Sequence, residues 1–334
     1  MKILKKLAAI LLSAAILTTG SNMAGLNSVE ARAAAPSGLK GVWFSFLDWQ
    51  LYLRGKDQAG FDAAFSGVCD VTLSHGLNTI FVHVRSHNDA VYPSGIYPWS
   101  AQMLSGANPG YDPLADMVNI AHSKGLSIHA WINPYGYRNG AITGNAALAT
   151  TANVVSGVQE IVANYGVDGI HFDDYFPPVG KAEINSMVSQ VHTVCANAGK
   201  VFGISPQGNL DNLRASSADV DTWLSSGGYV DYLCPQLYWS DNYGAGGNVT
   251  MFSNRLNLFR SIDKAGIPLY VGLAAYKAGQ PIGSDPGWGM SSVNLATQRD
   301  KALGAGYTGY IVYRYNTLLS APAAAELSAL QAKG

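Results

Sequence analysis

The stretch Asp168–Pro178, DGIHFDDYFPP, decides how this chain is read. Ile170, His171 and Phe172 favour a pleated strand, Gly169 opens it, and Pro177 with Pro178 can neither donate to a ladder nor start a helix at once. The adjacent carboxylates Asp173 and Asp174 therefore fall where strand becomes loop. Two neighbouring carboxyl groups cannot both ionise cheaply in a dry pocket. One is expected to keep its proton beside a charged partner, the arrangement of a proton donor next to a fixed negative charge. The bland alternative is a loop in which water solvates both acids.

Outward from that strand, similar short apolar runs recur at Gly41–Phe46, Thr79–Val84, Ser127–Ile132, Gly169–Asp173, Val201–Ser205, Tyr229–Leu237, Leu269–Ala274 and Tyr310–Tyr315. Segments of helical period separate them: Phe61–Ser74, Pro113–Lys124, Thr151–Tyr165, Lys181–Ala198, a weak Ala218–Leu224, Met251–Lys264 and Asn294–Gly304. Gly76, Gly125, Gly266 and Gly306 stand where a left-handed residue ends a helix and returns the chain to a strand. Repeated βα units with right-handed crossovers predict a single α/β domain, a parallel (β/α)8 barrel over residues 36–334. An open doubly wound sheet is the alternative, but no glycine-rich phosphate turn follows the first strand.

Residues 1–35 read as a cleaved signal peptide. Lys2, Lys5 and Lys6 precede an apolar run from Leu7 to Thr18, and Ala31-Arg32-Ala33-Ala34-Ala35 offers small-residue cleavage sites. The run is too short for a comfortable membrane span. The expectation is an exported protein, secreted or associated with a bacterial cell wall, with no integral span after cleavage. Removal of this segment takes Lys2, Lys5, Lys6 and Arg32 against Glu30 alone, leaving a mildly acidic chain. With no Lys/Arg cluster, nucleic acid is not an expected partner. Cys69, Cys195 and Cys234 are odd in number, lack short spacing and lie in apolar patterns, which points to buried free thiols.

In such a barrel the C-terminal strand ends share one mouth. Strand 1 brings Ser45, Asp48 and Trp49; strand 2 Arg85, His87 and Asp89; strand 3 Asn133, Tyr135 and Arg138; strand 4 Asp173, Asp174 and Tyr175. The second half brings Ser205, Gln207, Gln236, Tyr238, Trp239, Tyr276, Lys277, Arg314 and Asn316. A mouth both aromatic and hydrogen-bonding suits sugars, whose C–H faces stack on rings while their hydroxyls need fixed polar partners. Trp99 and Trp288 are further candidate platforms, whereas Phe46, Tyr52 and Trp131 read as packing. Arg85 and Arg314 could clamp a carboxylate bidentately or pair with nearby acids.

Several segments together resemble a known family: RSHNDAVYPSGIYPWS (Arg85–Ser100), HAWINPYGYR (His129–Arg138), GIHFDDYFPP, GISPQGN (Gly203–Asn209), CPQLYW (Cys234–Trp239), GLAAYK and YRYN. They are similar to the glycoside-hydrolase-like proteins once catalogued as a domain of unknown function and often called family 10 glycosylhydrolases, over nearly the whole chain after residue 35. The resemblance implies a TIM-type barrel acting on polysaccharide without a cofactor, with bacterial cell-wall glycan stripped of its stem peptides as the substrate linked to similar members. Where those members carry His-Gly-Asp, this chain has His87-Asn88-Asp89, which puts a tight-turn glycine at 88 in question.

The strand ending also resembles chitinase-type barrels, but Tyr175 stands where they place their acid. The tandem pair is closer to O-GlcNAcase-type barrels, in which the substrate's own acetamido group is the nucleophile. That likeness implies that Asp173 polarises the acetamide while Asp174 protonates the leaving oxygen and then activates water. A conventional pair with Asp48, Asp89 or Asp241 as second carboxylate is the alternative. His83, His129 and His171, all inward by parity with Arg85, Asn133 and Asp173, either buttress the aspartates or hold a metal in a hydrolase or deacetylase. The remaining function class is a non-catalytic glycan-binding barrel.

Overall fold

The computed structural model describes residues 34–280 and 282–334. The expected signal peptide, apart from Ala34 and Ala35, lies outside the described residues. Eight parallel strands follow in order: β1 Leu39–Phe44, β2 Thr79–Arg85, β3 Ser127–Ile132, β4 Gly169–Asp173, β5 Val201–Ser205, β6 Tyr232–Leu233, β7 Tyr270–Leu273 and β8 Gly309–Tyr313. Each pairs with its neighbour in sequence except β6 with β7, and β8 pairs with β1. The expected strand Tyr229–Leu237 shortens to two residues because Pro235 carries no N–H for a ladder. The seam between β6 and β7 is closed instead by single bridges, Leu233 to Leu269 and Gln236 to Gly272. Backbone bonds on either side of the proline, from Gly272 N–H to Pro235 O and from Leu237 N–H to Gly272 O, hold the wall.

Helices Gln58–Ser74, Pro113–Ser123, Thr151–Asn164, Lys181–Asn197, Val220–Ser225, Met251–Ile262 and Asn294–Gly304 pack outside. Asp57, Asp112 and Thr150 cap three of them by accepting first-turn N–H groups. Gly76, Gly125, Gly266 and Gly306 adopt the expected positive φ.

Alternation sorts the strand residues into two cores. Even-numbered β1 and β2 residues Val42, Phe44, Ile80 and Val82 join the layer under the helices. The odd set Leu39, Trp43 and Phe81 fills the lumen with Trp131, Val201, Tyr232, Cys234, Tyr270 and Ile311. So many rings fit because Gly203 has no side chain: a Cβ there would lie 2.2 Å from the Tyr232 ring. Cys69, Cys195 and Cys234 are buried free thiols, as their apolar surroundings led us to expect.

Candidate active site

Above the lumen core, the strand ends enclose a cavity of about 140 Å³. That is below the ~300–1,000 Å³ of typical ligand pockets, so it admits a ring-sized group and leaves the rest of a longer ligand to neighbouring surface. Its walls are Trp43, Ser45, Phe46, His83, Trp131, Asn133, Arg138, Asp173, Tyr175, Gln236, Tyr238, Tyr276 and Tyr313. Two grooves adjoin it. One is lined by Asp174, Tyr175, Gln207 and Gln236 together with Tyr137 and Asn139, the other by Gln207, Gln236, Tyr238, Trp239, Tyr276 and Lys277. Gln236 borders all three depressions, and Tyr175 joins the cavity to the first groove.

The two aspartates divide between these spaces. Asp173, the last residue of β4, points inward and is 6% exposed. Its Oδ1 accepts the Asp174 N–H at 3.0 Å and Gln236 Nε2 at 3.0 Å. Asp174 sits one residue past the strand, half-buried on the first groove, with Oδ2 accepting the Gln207 N–H at 2.8 Å. Burial, then repulsion from Asp174, pushes the Asp173 carboxyl up to about 8, and burial pushes Asp174 up to about 6. Both carboxyls are thus raised by burial, and each disfavours ionisation of the other, so the pair is suited to share a proton.

Beneath Asp173 lies a histidine layer. His171 Nδ1 is 2.9 Å from Tyr232 Oη, and its Nε2 accepts from Trp43 Nε1 at 3.1 Å and meets Ser205 Oγ at 3.0 Å. His83 Nδ1 accepts the Phe46 N–H at 3.2 Å, its Nε2 faces Asn133 Oδ1 at 3.2 Å, and its ring stacks on Trp131. His129 packs edge to face with Tyr232 and against Phe81. Burial holds all three well below the ordinary imidazole range, His129 at about 4. Both nitrogens of His83 and of His171 are engaged with protein, so three free lone pairs do not converge on one point. Among the described residues no group of three His, Cys, Asp or Glu side chains is arranged to hold a metal. This arrangement fits a hydrogen-bonded layer that buttresses the strand end carrying Asp173.

Of the remaining sequence-derived candidates, Asn133, Tyr175, Gln236 and Tyr238 line the cavity, and Gln207, Trp239 and Lys277 line the grooves. Others lie elsewhere. A register irregularity between His83 and Arg85 breaks the parity of β2. Arg85 consequently turns out of the lumen, fully buried over the Tyr97 ring, with Nη2 donating to Pro134 O. Trp49 is a core residue against Phe61, its indole donating to His83 O. Tyr135 is buried against Thr151 on the helix side. Asp48 is buried in a capping box with Ser45 and is bridged at 2.7 Å by Arg314, which removes both as free ligand groups. Asn316 donates its N–H to Asp48 and accepts from Tyr52 Oη. His87 bonds Ser86 Oγ and Asp89 is buried, both outside the cavity wall. Asp241 is tied to Lys301 and Ser253. Trp288 is fully buried on Asp285, and Trp99 is packed against the core. Asn88 needs no left-handed backbone, and its amide donates to Asn145 O.

The cavity also contains residues the sequence reading set aside or passed over. Phe46 and Trp131 were expected to be packing residues, and Trp43 and Tyr313 carried no expectation. Parity would have found Trp43, two residues before Ser45. Arg138 is presented by a hairpin in which Tyr137–Arg138 pairs with Ala141–Ile142. Asn139 and Gly140, both at positive φ, form its two-residue loop, the Asn-Gly signature of a type I′ turn.

A closed parallel barrel with a carboxyl pair and an aromatic hollow at its C-terminal mouth is the architecture of glycoside-hydrolase-like proteins. The chain belongs to the glycosyl hydrolase-like 10 family, whose model matches residues 38–146 and 180–290. It is similar to glycosyl hydrolase YngK of Bacillus subtilis (strain 168), 27% identical over 359 residues that cover 82% of this chain and 68% of that protein. It is also similar to glycosyl hydrolase DigH of Escherichia coli (strain K12), 28% identical over 291 residues, covering 64% of this chain and 65% of that one. Among solved structures it resembles ICChI chitinase from Ipomoea carnea, with TM-score 0.52, 17% identity and coverage of 87% of this chain and 100% of that one. A xylanase-A-amylase inhibitor protein shares the fold equally, with TM-score 0.56, 13% identity and coverage of 88% and 99%. These two likenesses carry the fold alone, since one of them is an enzyme and the other an inhibitor.

Proposed function

We propose that this protein is an exported glycoside hydrolase that cleaves O-glycosidic bonds in a 2-acetamido-sugar polysaccharide, with peptide-free peptidoglycan strands as the substrate. Family membership supports glycan hydrolysis. The observation that carries the chemistry is the split of the aspartate pair: Asp173 faces the ring-sized cavity, and Asp174 faces the groove that continues from it.

In this reading the acetamido group of the bound ring enters beside Asp173, and the scissile oxygen lies toward Asp174. The acetamide N–H donates to Asp173 and favours its ionised form. The charge so produced raises Asp174, and the single proton of the pair passes to the carboxyl that must donate it. Asp174 protonates the leaving oxygen while the acetamido oxygen attacks the anomeric carbon; Asp174 then takes a proton from the water that opens the cyclic intermediate. The neutral histidine layer offers no competing charge beneath Asp173.

The test is digestion of peptide-free peptidoglycan strands, chitin oligomers and neutral glucans, with mass analysis of the products. New reducing ends from acetamido-sugar polymers, and none from glucans, are expected. Binding of the strands without release would identify a glycan-binding barrel instead.

A further inference from the structure

The cavity wall contains one cation, Arg138, and one carboxyl, Asp173. The other arginines that the strand ends supply are unavailable, Arg85 because it is buried behind the wall and Arg314 because Asp48 holds it. Arg138 differs from both. Its guanidinium lies 4.4 Å from the centre of the Phe46 ring and 5.8 Å from that of Tyr175. Among the described residues no carboxylate lies within ion-pair distance of it and no protein acceptor takes its N–H groups, while its charge acts through space on Asp173. Aromatic faces fix the plane of a guanidinium and leave its edge of donors free. The type I′ hairpin brings the side chain to the cavity wall. A planar fork of donors, oriented by rings and without an internal acceptor, matches the two oxygens of a carboxylate.

We infer that Arg138 recognises a carboxylate carried by the sugar bound in this cavity, an inference that rests on the site assigned above and names its specificity. The carboxylate is either a 3-O-lactyl ether, as on muramic acid, or the C6 acid of a hexuronate.

Calorimetric binding of disaccharides separates these sources and does not need turnover. The probes are an acetamido disaccharide bearing the lactyl carboxylate, the same compound with that carboxyl reduced to the alcohol, and a glucuronate disaccharide with its neutral glucose counterpart. The wild-type chain binds one acid at least about 10-fold more tightly than its neutral partner, in line with a charge-assisted bidentate pair. Arg138→Ala abolishes that preference and leaves the neutral compound within about twofold, whereas Arg138→Lys keeps the charge and only part of the preference. Preference for either acid supports the inference and identifies the source. No preference in the wild-type chain, or equal weakening of acid and neutral forms in a folded Arg138→Ala protein, overturns it. Hydrolysis of peptide-free strands is followed in parallel. Preference without hydrolysis defeats the proposed function and spares Arg138; hydrolysis without preference does the reverse.

Discussion

The indole N–H of Trp43 points at Nε2 of His171 across 3.1 Å, and because an indole can only donate, that nitrogen carries no proton. The proton of His171 is therefore on Nδ1 and goes to Tyr232 Oη, which lies 3.5 Å from His129 Nδ1. The layer under Asp173 is therefore uncharged and ordered by the strand that begins the barrel. Charge on the cavity wall is left to Asp173 and Arg138, with Asp174 on the adjoining groove.

Replacement of each aspartate separates their roles. Asp174→Asn should lower kcat on unactivated glycan by about 10²–10⁴-fold. An aryl glycoside whose leaving group needs no protonation should recover most of that loss in its first step. Asp173→Asn should be impaired on both substrates, since acetamide polarisation is needed in either case. Equal rates for wild type and Asp174→Asn on natural strands would remove the acid from the scheme.

The pH dependence of kcat/KM should be a bell, because the free pair must hold one proton. The acid limb falls near 6, where a second proton binds, and the alkaline limb near 8, where the last one leaves. A profile flat from pH 5 to 9 would contradict the shared proton.

Asp173 also links stability to pH. Its folded-state carboxyl is raised from 3.8 to about 8, so between those values the folded chain keeps a proton that the unfolded chain has lost. Its stabilising contribution is full below pH 4 and is lost as pH rises through 8. Asn cannot ionise, so the Tm of Asp173→Asn minus that of wild type should grow from pH 4 to pH 8. A difference that shrinks over this range would show that the carboxyl is not raised.

Asp48→Ala should destabilise the fold by about 3–5 kcal/mol, the cost of breaking a buried ion pair by removing one partner. Asp48 accepts from Arg314, the Asn316 N–H, and both the N–H and hydroxyl of Ser45, tying the ends of β8 and β1 together. Urea denaturation measures the loss, and an unchanged midpoint would mean that solvent replaces these bonds.

Gly203→Ala should destabilise by about 1–3 kcal/mol through overpacking against Tyr232. A thermal melt checks this, and near-neutral behaviour would mean that the lumen rings shift freely.

The barrel and the aspartate pair were legible in the sequence because both depend on local pattern. Strands β3, β4 and β5 and the helix Asn294–Gly304 end at the residues where their apolar periods end. The site was legible only in part, because membership in the mouth depends on which way each side chain turns. One irregularity at Val84 sent Arg85 behind the wall, and one capping interaction withdrew Asp48 and Arg314. Position after β3 places Arg138 at the mouth, but that it has no acceptor there depends on side-chain packing and not on local pattern.

The stave between β5 and β7 has a further meaning. Pro235 deprives it of regular laddering, so of the eight staves it is the one least stitched to its neighbours. The next residue, Gln236, is the one that borders all three hollows and grips Asp173. The stave with the fewest ladder bonds to its neighbours thus carries the side chain that holds Asp173 in place, so its position rests on the backbone bonds around Pro235 and Gly272.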